Sequence, residues 1–404
     1  MLSNSPARLA MAAVMCAAFV FGLLSPADAI PVFARKYGFA CTMCHSHFPR
    51  LNDFGARYRQ NGYQLPGREK EEKTTMDVSA PFAVRTSLGY NSDKYKNTPD
   101  IEDVNQFQLN GLDILSGGLL GRNIGYFLVY PPEIKGSRGV VAQDGKLEKA
   151  NVIFTNLRSR PINLRVGRFE GAFTAFSAER RLTVSPYEIY DFSFPSGVAF
   201  GDTQNGIELT GRFAGSYRYA VGWVDGSANN EDDDAPSDFY LRAAKVFGRG
   251  EGQNVGHRLG LTGYFGKARP HPYAPFGPRK SFNRWGVDAN LNFSQMNVEL
   301  QYLRGSDDKT LAGSPSDFDF SGGFVQVNYG PSTSLVGFAR FDWVNTPGFS
   351  DVGDITRWTM GGRYYLQDHI ALHVEYSRRN EDSTEFGVGD ARENFFTARL
   401  DFAF

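Results

Sequence analysis

The amino-acid sequence predicts an all-β chain in which about sixteen antiparallel strands close into a transmembrane barrel, preceded by a small α-helical segment. From Asp77 onward, successive runs alternate apolar and polar side chains, the period of a strand with lipid on one face and water on the other. Connections after even-numbered runs are mostly short, and those after odd-numbered runs are nearly all long. Outer-membrane barrels have this asymmetry between periplasmic turns and external loops. The chain ends in Phe404 after an alternating run, the form of an outer-membrane assembly signal.

The first 29 residues are typical of a secretory signal peptide. Arg8 supplies a positive start, the stretch 9–24 is apolar, and Ala27-Asp28-Ala29 has the form of a cleavage site. A membrane anchor is the alternative, but the apolar stretch is short for a membrane span. Cleavage would start the mature chain at Ile30 and remove Cys16. The sequence therefore predicts an exported protein with two cysteines.

Both of those cysteines lie in the run Cys41-Thr42-Met43-Cys44-His45. Two thiols three residues apart can add across the two vinyl groups of one haem, and the next residue places an imidazole under the iron. The sequence predicts one covalent haem c, with His45 as the proximal iron ligand. A disulfide beside a bystander histidine is the alternative. A zinc site is disfavoured because the mature chain has no second cysteine pair.

A short helix is predicted directly after this motif, over residues 50–61. Leu51, Phe54 and Tyr58 fall on one helical face, which we expect to cover the haem, and Gly62 is a plausible helix stop. The sequence thus divides into a signal peptide (1–29), a monohaem cytochrome domain (30–75) and a barrel (76–404). A domain this small cannot bury much core alone. We expect it to sit inside the barrel as a plug.

The barrel prediction specifies sixteen strands and the side chains that face the lumen. The strands are 78–91, 103–116, 121–132, 145–157, 161–169, 203–213, 216–226, 236–248, 255–267, 282–294, 296–305, 319–330, 332–344, 355–367, 369–380 and 393–404. The longest connection, 170–202, is predicted to be an external loop. The lumen-facing charges, which offer possible partners to the plug, are Glu208, Arg212, Arg242, Arg284, Asp288, Glu299, Arg340, Asp342, Arg357 and Arg363.

The second axial ligand of the iron is not determined by the motif. Met76 lies at the junction between the two domains and could reach back to the haem. His369 and His373 lie near a predicted periplasmic turn, on the lumen face of a strand. For these two histidines, ordinary polar lining of the lumen is the alternative interpretation.

At this point the chain resembles a known family. The run from Phe33-Ala34-Arg35-Lys36-Tyr37-Gly38 to the haem motif is similar to the fused monohaem cytochrome–porins. So is the pattern Pro49-x-Leu51-Asn52-x-Phe54-Gly55 with Gly62-Tyr63. The best-known members of that family are outer-membrane Fe(II)-oxidising cytochromes. The resemblance implies an electron conduit between an extracellular donor such as Fe(II) and a periplasmic electron-carrier cytochrome, and possible Fe(II):cytochrome oxidoreductase activity.

Two other functions fit the same sequence. A solute porin could use the haem domain as a plug, and a haem enzyme could reduce a small oxidant at an open iron site. The formal net charge of −1 gives no argument for nucleic-acid binding. Outer-membrane lipid is the partner that the barrel itself implies. Acidic runs in predicted external loops could gather cations, or could simply be solvated. These runs are Glu231-Asp232-Asp233-Asp234, Asp307-Asp308 and Glu381-Asp382.

Overall fold

A computed structural model describes most of the chain from Val32 to Phe404. The described residues are 32–65, 74, 81–98, 101–135, 141–194, 196, 200–213, 216–226, 238–248, 256–268, 279–308, 316–347, 353–382 and 390–404. The predicted signal peptide, Met76 and the acidic run 231–234 lie outside these residues. No helix in the described part of the chain is long and apolar enough to cross a membrane.

Sixteen strands form one closed antiparallel barrel, in which each strand pairs with the next and the last pairs with the first. They are Phe82–Lys96 (β1), Val104–Gly121 (β2), Ile124–Tyr130 (β3), Lys149–Phe154 (β4), Ile162–Phe169 (β5), Gln204–Phe213 (β6), Tyr217–Val224 (β7), Asp238–Phe247 (β8), His257–Ala268 (β9), Lys280–Phe293 (β10), Met296–Asp307 (β11), Phe318–Ser332 (β12), Leu335–Asn345 (β13), Asp354–Gln367 (β14), Ile370–Asp382 (β15) and Ala391–Ala403 (β16). The predicted strands correspond to these one for one. The predicted barrel is therefore confirmed, with shifted ends.

The alternation of side chains along each strand explains why the barrel forms. On β15, Leu372 and Val374 are exposed on the outer wall, whereas His373 and Glu375 are fully buried on the lumen side. On β10, Trp285 is exposed while its neighbour Arg284 is buried. Outward apolar side chains remove their surface from water only if lipid covers them. This band is the surface expected of a barrel in the outer membrane.

The two ends of the barrel differ in the length of their connections. At one end, β2 and β3 are joined by Arg122-Asn123, and β12 and β13 by Thr333-Ser334. The opposite end carries the longer connections, including 131–148 and 170–203. Phe404 closes the ring at the short-turn end, where it exchanges backbone hydrogen bonds of 2.9 and 2.8 Å with Val84. Short turns mark the periplasmic end of such barrels.

The connection 170–202, called the lumen loop below, corrects the prediction of an external loop. Its described residues fold into the barrel, and its single helical turn is Glu188–Asp191. Val184 N and Ser185 N donate to Glu375 at 2.6 and 2.7 Å, and Arg340 Nη1 donates to Thr183 Oγ1 at 2.6 Å. Its buried aromatic side chains pack against those of the wall. They are Phe173, Phe176, Tyr187, Tyr190, Phe192, Phe194 and Phe200. Burying this apolar surface favours the lumen over water.

The described N-terminal residues 32–65, called the plug below, form a compact helical segment at the periplasmic end. They comprise the helix Val32–Tyr37 (α1), a 3₁₀ turn at Cys41–Met43 and the helix Asp53–Gln60 (α2). Two short paired strands, His45–His47 and Arg50–Leu51, connect the turn to α2. The predicted helix 50–61 is thus shorter than expected, because Arg50 and Leu51 are extended. Gly62, with φ of 63°, follows its end.

Candidate functional site

The loop that carries the two cysteines is tied to the start of α2 by one side chain, Asn52. Asn52 Oδ1 accepts the Gly55 N–H at 2.9 Å, which caps the helix. Its Nδ2 donates to the carbonyl oxygens of Thr42 at 3.3 Å and Met43 at 3.0 Å. Its backbone N–H donates to Cys44 O at 2.9 Å. Asn52 therefore fixes the cysteine loop against the helix that follows it.

Gly55 allows α2 to approach this loop closely. A Cβ atom at position 55 would lie 2.1 Å from the carbonyl oxygen of Cys44 and 3.0 Å from a methyl group of Leu51. Real side chains do not approach a backbone oxygen that closely, so only glycine fits here without movement of the loop. Sequence analysis noted Asn52 and Gly55 as parts of a pattern, but their structural roles emerge only from these contacts.

His45 is held with one ring nitrogen bound to the protein. Its Nδ1 lies 3.1 Å from Pro49 O. Since a carbonyl can only accept, Nδ1 carries the proton and Nε2 is left with its lone pair. Burial lowers the pKa of His45 to about 4, although backbone hydrogen bonds at Pro49 and Arg50 oppose that effect. The imidazole is therefore neutral at pH 7, the state that ligates metals.

The thiols of Cys41 and Cys44 are held in their protonated form. Burial raises the pKa of Cys41 to about 11, and the nearby Asp368 carboxylate adds to the effect. Burial also raises the pKa of Cys44 to about 11. Catalytic and redox-exchange cysteines have lowered pKa values instead, because the thiolate is the reactive species. These two groups therefore do not resemble a thiol–disulfide exchange site.

The two thiols and the imidazole line one cavity between the plug and the barrel wall. The cavity contains about 1410 Å³ of empty space, including the space at its open mouth. All six residues predicted to bind the cofactor line it: Cys41, Cys44, His45, Leu51, Phe54 and Tyr58. Further aromatic lining comes from Phe33, Phe39, Phe48, Tyr63 and Phe127. The structure therefore brings the predicted site together around a largely apolar space.

One edge of this cavity is charged. Four cationic side chains and two carboxylates line it: Arg59, Arg85, Lys149, Arg180, Glu148 and Glu179. Arg85 also pairs with Asp113, and Arg59 and Arg180 share Glu170, so the four cations here are balanced by four carboxylates. The cavity therefore combines a largely apolar lining with a group of ion-paired side chains.

A buried ion network next to this edge joins the plug, the wall and the lumen loop. Glu170 Oε2 lies 2.5 Å from Arg180 Nη2 and 3.9 Å from Arg59 Nη2. Lys149 pairs with Glu148 at 3.0 Å and also with Glu179. Burial alone would raise the pKa of Glu170, but Arg180, Lys149 and Arg59 together lower it below its usual value. Glu170 is therefore ionised at neutral pH.

Polar contacts at its rim hold the plug in the periplasmic mouth of the barrel. Arg50 Nε donates to Glu299 at 2.7 Å, and Asp53 pairs with Arg218. Further contacts join Gln60 O to Asn163 at 2.6 Å, Gln60 Oε1 to Arg212 at 2.9 Å, Gln64 Nε2 to Thr155 at 3.1 Å and Cys41 N to Asp368 at 3.3 Å. A Cβ on Gly125 of the wall would lie 2.1 Å from Gly62 O. These contacts place the described residues 32–65 at the periplasmic mouth of the barrel, and a haem domain that acts as a plug stays a prediction.

Most of the predicted lumen charges hold the lumen loop rather than the plug. Of the ten, Arg212 and Glu299 contact the plug directly. Arg357 pairs with Glu188 of the loop at 2.7 Å, Arg363 donates to Leu182 O at 3.1 Å, and Arg284 donates to Ser196 at 3.2 Å. Of the possible partners that the sequence offered to the plug, Arg212 and Glu299 are used, and most of the others contact the lumen loop. The lumen loop folds inward and takes up these side chains, because its backbone and side-chain polar groups need partners inside the barrel.

His369 and His373, two of the candidates for the second ligand of the iron, do not line this cavity. His373 Nε2 lies 3.2 Å from Glu375 Oε2, and its ring stacks on Phe338. His369 lines a neighbouring polar cavity instead. The geometry therefore does not favour either histidine as an iron ligand, and Met76 lies outside the described residues.

The described parts of the acidic runs do not form a cation site. Asp307 is buried and pairs with Arg284, and Glu381 pairs with Arg379 at 2.6 Å. Within the described residues, no group of three or more His, Cys, Asp or Glu side chains could hold a metal ion. Asp307 thus faces the lumen, where it contributes to the wall and not to an external loop.

Comparison with known proteins identifies the fold of the barrel. No protein-family model and no curated protein sequence matches the chain. Among solved structures, an anion-selective porin from Comamonas acidovorans matches with a TM-score of 0.57 at 13% identity, covering 80% of this chain and 99% of that one. OmpF of Salmonella typhi, in complex with daunomycin, has a TM-score of 0.57 at 10% identity, covering 80% and 97%. A loop-deletion mutant of OmpT from Vibrio cholerae has a TM-score of 0.55 at 11% identity, covering 80% and 100%.

These likenesses concern the fold, since identities this low say nothing about what the chain transports or binds. Together with the outward apolar band, they establish a sixteen-stranded porin-type barrel of the bacterial outer membrane.

Proposed function

We propose that this protein is an outer-membrane electron conduit that binds one covalent haem c in the cavity between plug and wall. The observation that carries the proposal is the convergence of Cys41, Cys44 and His45 on that single apolar cavity. The proposed external reductant is Fe(II), which would be oxidised to Fe(III) and give one electron to the haem. A periplasmic cytochrome would then accept that electron.

The residues around the cavity fit a haem in three respects. The two thiols can form the thioether bonds, and the free Nε2 of His45 can ligate the iron while Pro49 O orients the ring. The aromatic lining excludes water from an apolar macrocycle. Arg59, Arg85, Lys149 and Arg180 line the cavity and could donate hydrogen bonds to two propionates in addition to the carboxylates with which they already pair.

Each group of this chain then has a defined role. The haem supplies one-electron chemistry, and its potential depends on axial ligation, burial and nearby hydrogen bonds. Asn52 and Gly55 keep the cysteine loop in place on α2. The wall and the lumen loop enclose the site within the membrane, which is otherwise an electrical insulator. With haem bound, the plug would hold a redox centre near the periplasmic face.

Anaerobic stopped-flow mixing with Fe(II) tests this proposal. Haem-loaded protein in detergent should develop the absorbance of a reduced c-type haem, and oxidised soluble cytochrome c added afterwards should reverse the change. A haem that stays oxidised in excess Fe(II) would contradict the assigned donor. The matched control is the Cys41→Ala/Cys44→Ala protein, which should give no signal.

A solute porin with a haem-bearing plug is the second candidate, and the likeness of the barrel to solved porins favours it. The plug and the aromatic lumen loop occupy much of the lumen, which argues against an open pore. A large single-channel conductance of the intact protein in planar bilayers, without redox turnover, would support this second function.

A further inference from the structure

We propose that a basic patch on the outer wall, near the external end of the barrel, binds the phosphate groups of an anionic lipid in the outer leaflet. The patch covers three adjacent strands, β15, β16 and β1. Its four cations are Lys94, Lys96, Arg378 and Arg392. Because the patch faces away from the lumen, it depends neither on haem nor on the proposed function.

The strand register places these four side chains on the outward face of the wall. Tyr376 and Phe396 lie opposite each other on β15 and β16 and are exposed there, and Ser92 of β1 lies beside Phe396. Alternate residues of a strand share one face, so the side chains two and four positions further from the periplasmic end also point outward. Among them are Lys94, Lys96, Arg378 and Arg392.

The height of the patch corresponds to lipid headgroups. β15 follows the short turn Asp368-His369, and β16 ends at Phe404, so the patch lies toward the opposite, external end of both strands. Directly below it, Tyr376, Phe396 and Phe107 of β2 form an exposed aromatic band. Such bands mark the interfaces of outer-membrane barrels. Two strand residues span about 7 Å, which places the cations just beyond the band.

Two of these cations are directly opposite each other. Arg392 of β16 and Lys96 of β1 are partners in the strand register. Arg378 of β15 lies on the other side of β16, opposite Asn394. Like charges directly opposite on neighbouring strands are destabilising. A negative group between the two strands would remove this repulsion, so the arrangement indicates a bound anion.

One carboxylate of the described chain pairs with the patch. Asp103 lies 3.3 Å from Lys94. In the described part of the chain, Lys96, Arg378 and Arg392 have no carboxylate within ion-pair distance. The patch therefore retains an excess of three positive charges, which a lipid with more than one phosphate group would neutralise.

The two arginines have donors available for such a ligand. Arg378 Nε and Arg392 Nε both donate to Oδ1 of Asn380, at 3.4 and 3.1 Å. This shared partner holds the two guanidinium groups side by side and leaves their Nη atoms for an anion. Guanidinium groups bind phosphate oxygens through two parallel hydrogen bonds, so this pair of side chains suits phosphate.

The apolar wall below the patch favours a lipid over a free phosphate ion. Leu372 and Val374 of β15 are exposed on the same face, beneath Tyr376. Acyl chains of a lipid held at the patch would cover these side chains and gain hydrophobic contact, which a free ion cannot do. The bound lipid would also span the pairing of β16 with β1, the contact that closes the barrel.

Binding of bisphosphorylated lipid A to the delipidated protein in detergent, measured by native mass spectrometry, tests the proposal. Wild-type protein should bind it saturably. Arg378→Gln/Arg392→Gln should bind roughly thirtyfold more weakly, equivalent to about 2 kcal/mol for two charges. Lys96→Gln should lose roughly fivefold in affinity. The matched control is Arg304→Gln, which removes an exposed outward arginine of β11 outside the patch and should bind as the wild type does.

Equal affinity of the double variant and Arg304→Gln for lipid A would overturn the proposal, provided that both show the heat-modifiable mobility of a closed barrel. Competition experiments identify the source of the phosphate. Inorganic phosphate and zwitterionic phosphatidylcholine, each at the concentration of lipid A, should leave its binding unchanged. Displacement of lipid A by inorganic phosphate would identify a free-anion site, and displacement by phosphatidylcholine would show unspecific lipid contact, so either result would contradict the assignment.

Discussion

The barrel wall and the plug differ in the source of their stabilising contacts. In the wall, each strand pairs along its length with two neighbours, and Phe404 and Val84 complete the ring. The plug has two short helices and a small aromatic cluster, in which the rings of Phe33 and Tyr63 stack at 4.7 Å. Many of its other contacts go to the wall, such as Arg50 to Glu299, or to the lumen loop, such as Arg59 to Glu170. The wall can therefore form without the plug, whereas the plug depends on the wall and on what fills the cavity.

The largest effect that separates the two regions is expected from Cys41→Ala/Cys44→Ala. The double variant should lose all covalent haem, because both thioether positions are gone. The barrel should still assemble, since neither cysteine pairs with a strand. Haem staining after denaturing electrophoresis measures the first result, and heat-modifiable mobility measures the second. Thr42→Ala, between the two cysteines, is the control and should retain haem.

Loss of the barrel in the double variant would contradict this comparison, because it would make assembly of the wall depend on the cofactor.

A large but incomplete loss of haem is expected from Gly55→Val. The new Cβ would lie 2.1 Å from Cys44 O, so the cysteine loop must move away from α2. We expect a severalfold lower ratio of haem to barrel, measured from the haem absorbance and protein concentration of purified samples. Ala56→Ser, one residue further along the helix, should keep the wild-type ratio. A fully loaded Gly55→Val protein would show that the contact between α2 and the loop is unnecessary.

A smaller effect is expected where the plug meets the lumen loop. Glu170→Gln leaves Arg180 and Arg59 without their shared buried carboxylate, and breaking a buried pair costs about 3–5 kcal/mol. The temperature at which bound haem loses its native spectrum should fall. Asp144→Asn removes an exposed partner of Lys146, 3.9 Å away, and should cost about 0–1 kcal/mol. Equal effects of the two substitutions would contradict the role of the buried network.

The two substitutions Glu170→Gln and Asp144→Asn also give a prediction about the pH dependence of stability. Since the folded pKa of Glu170 is lowered, its contribution to stability is present above the unfolded pKa of about 4.3 and is lost as the pH falls below it. Wild-type protein should therefore lose plug stability on acidification below about pH 4. Glu170→Gln should not show the fall in stability that comes from protonation of Glu170, whereas Asp144→Asn should show the same fall as the wild type. Melting temperatures between pH 3 and pH 7 give the comparison.

The smallest effect is expected at the solvent-exposed rim of the plug. His47 Nε2 donates to Ser332 O at 3.0 Å, and an exposed hydrogen bond contributes about 1 kcal/mol or less. His47→Ala should leave the haem content unchanged and shift the melting temperature only slightly. A large loss of haem in His47→Ala would mean that the rim contacts, and not the buried network, anchor the plug.

The barrel was predictable because its signal repeats along the whole chain. Every lumen-facing charge that the alternation placed inside, from Glu208 to Arg363, does face inward, since a strand has only two faces. The alternation along a strand does not specify whether a long connection folds away from the barrel or into its lumen. The lumen loop still carried a signal that could have been used, because seven of its aromatic side chains are buried and solvated loops rarely contain so many.

The candidate site was predictable only in part. The cysteine motif and the stripe Leu51, Phe54 and Tyr58 specify local geometry, and all of them line the cavity. The charged side chains at the cavity were not predicted in detail, because Arg59, Lys149 and Arg180 come from three separate regions of the chain. Such a convergence depends on where the lumen loop folds, which the sequence pattern did not specify.

The ratio of covalent haem to barrel in the purified wild-type protein tests the central claim most directly. Intact-mass spectrometry of the unfolded chain, combined with the spectrum of the reduced haem, measures that ratio. We predict one haem per chain that remains attached after denaturation and acid–acetone extraction. A folded, outer-membrane-inserted barrel whose chain carries no haem, produced in a host that matures c-type cytochromes, would contradict the assignment of Cys41, Cys44 and His45.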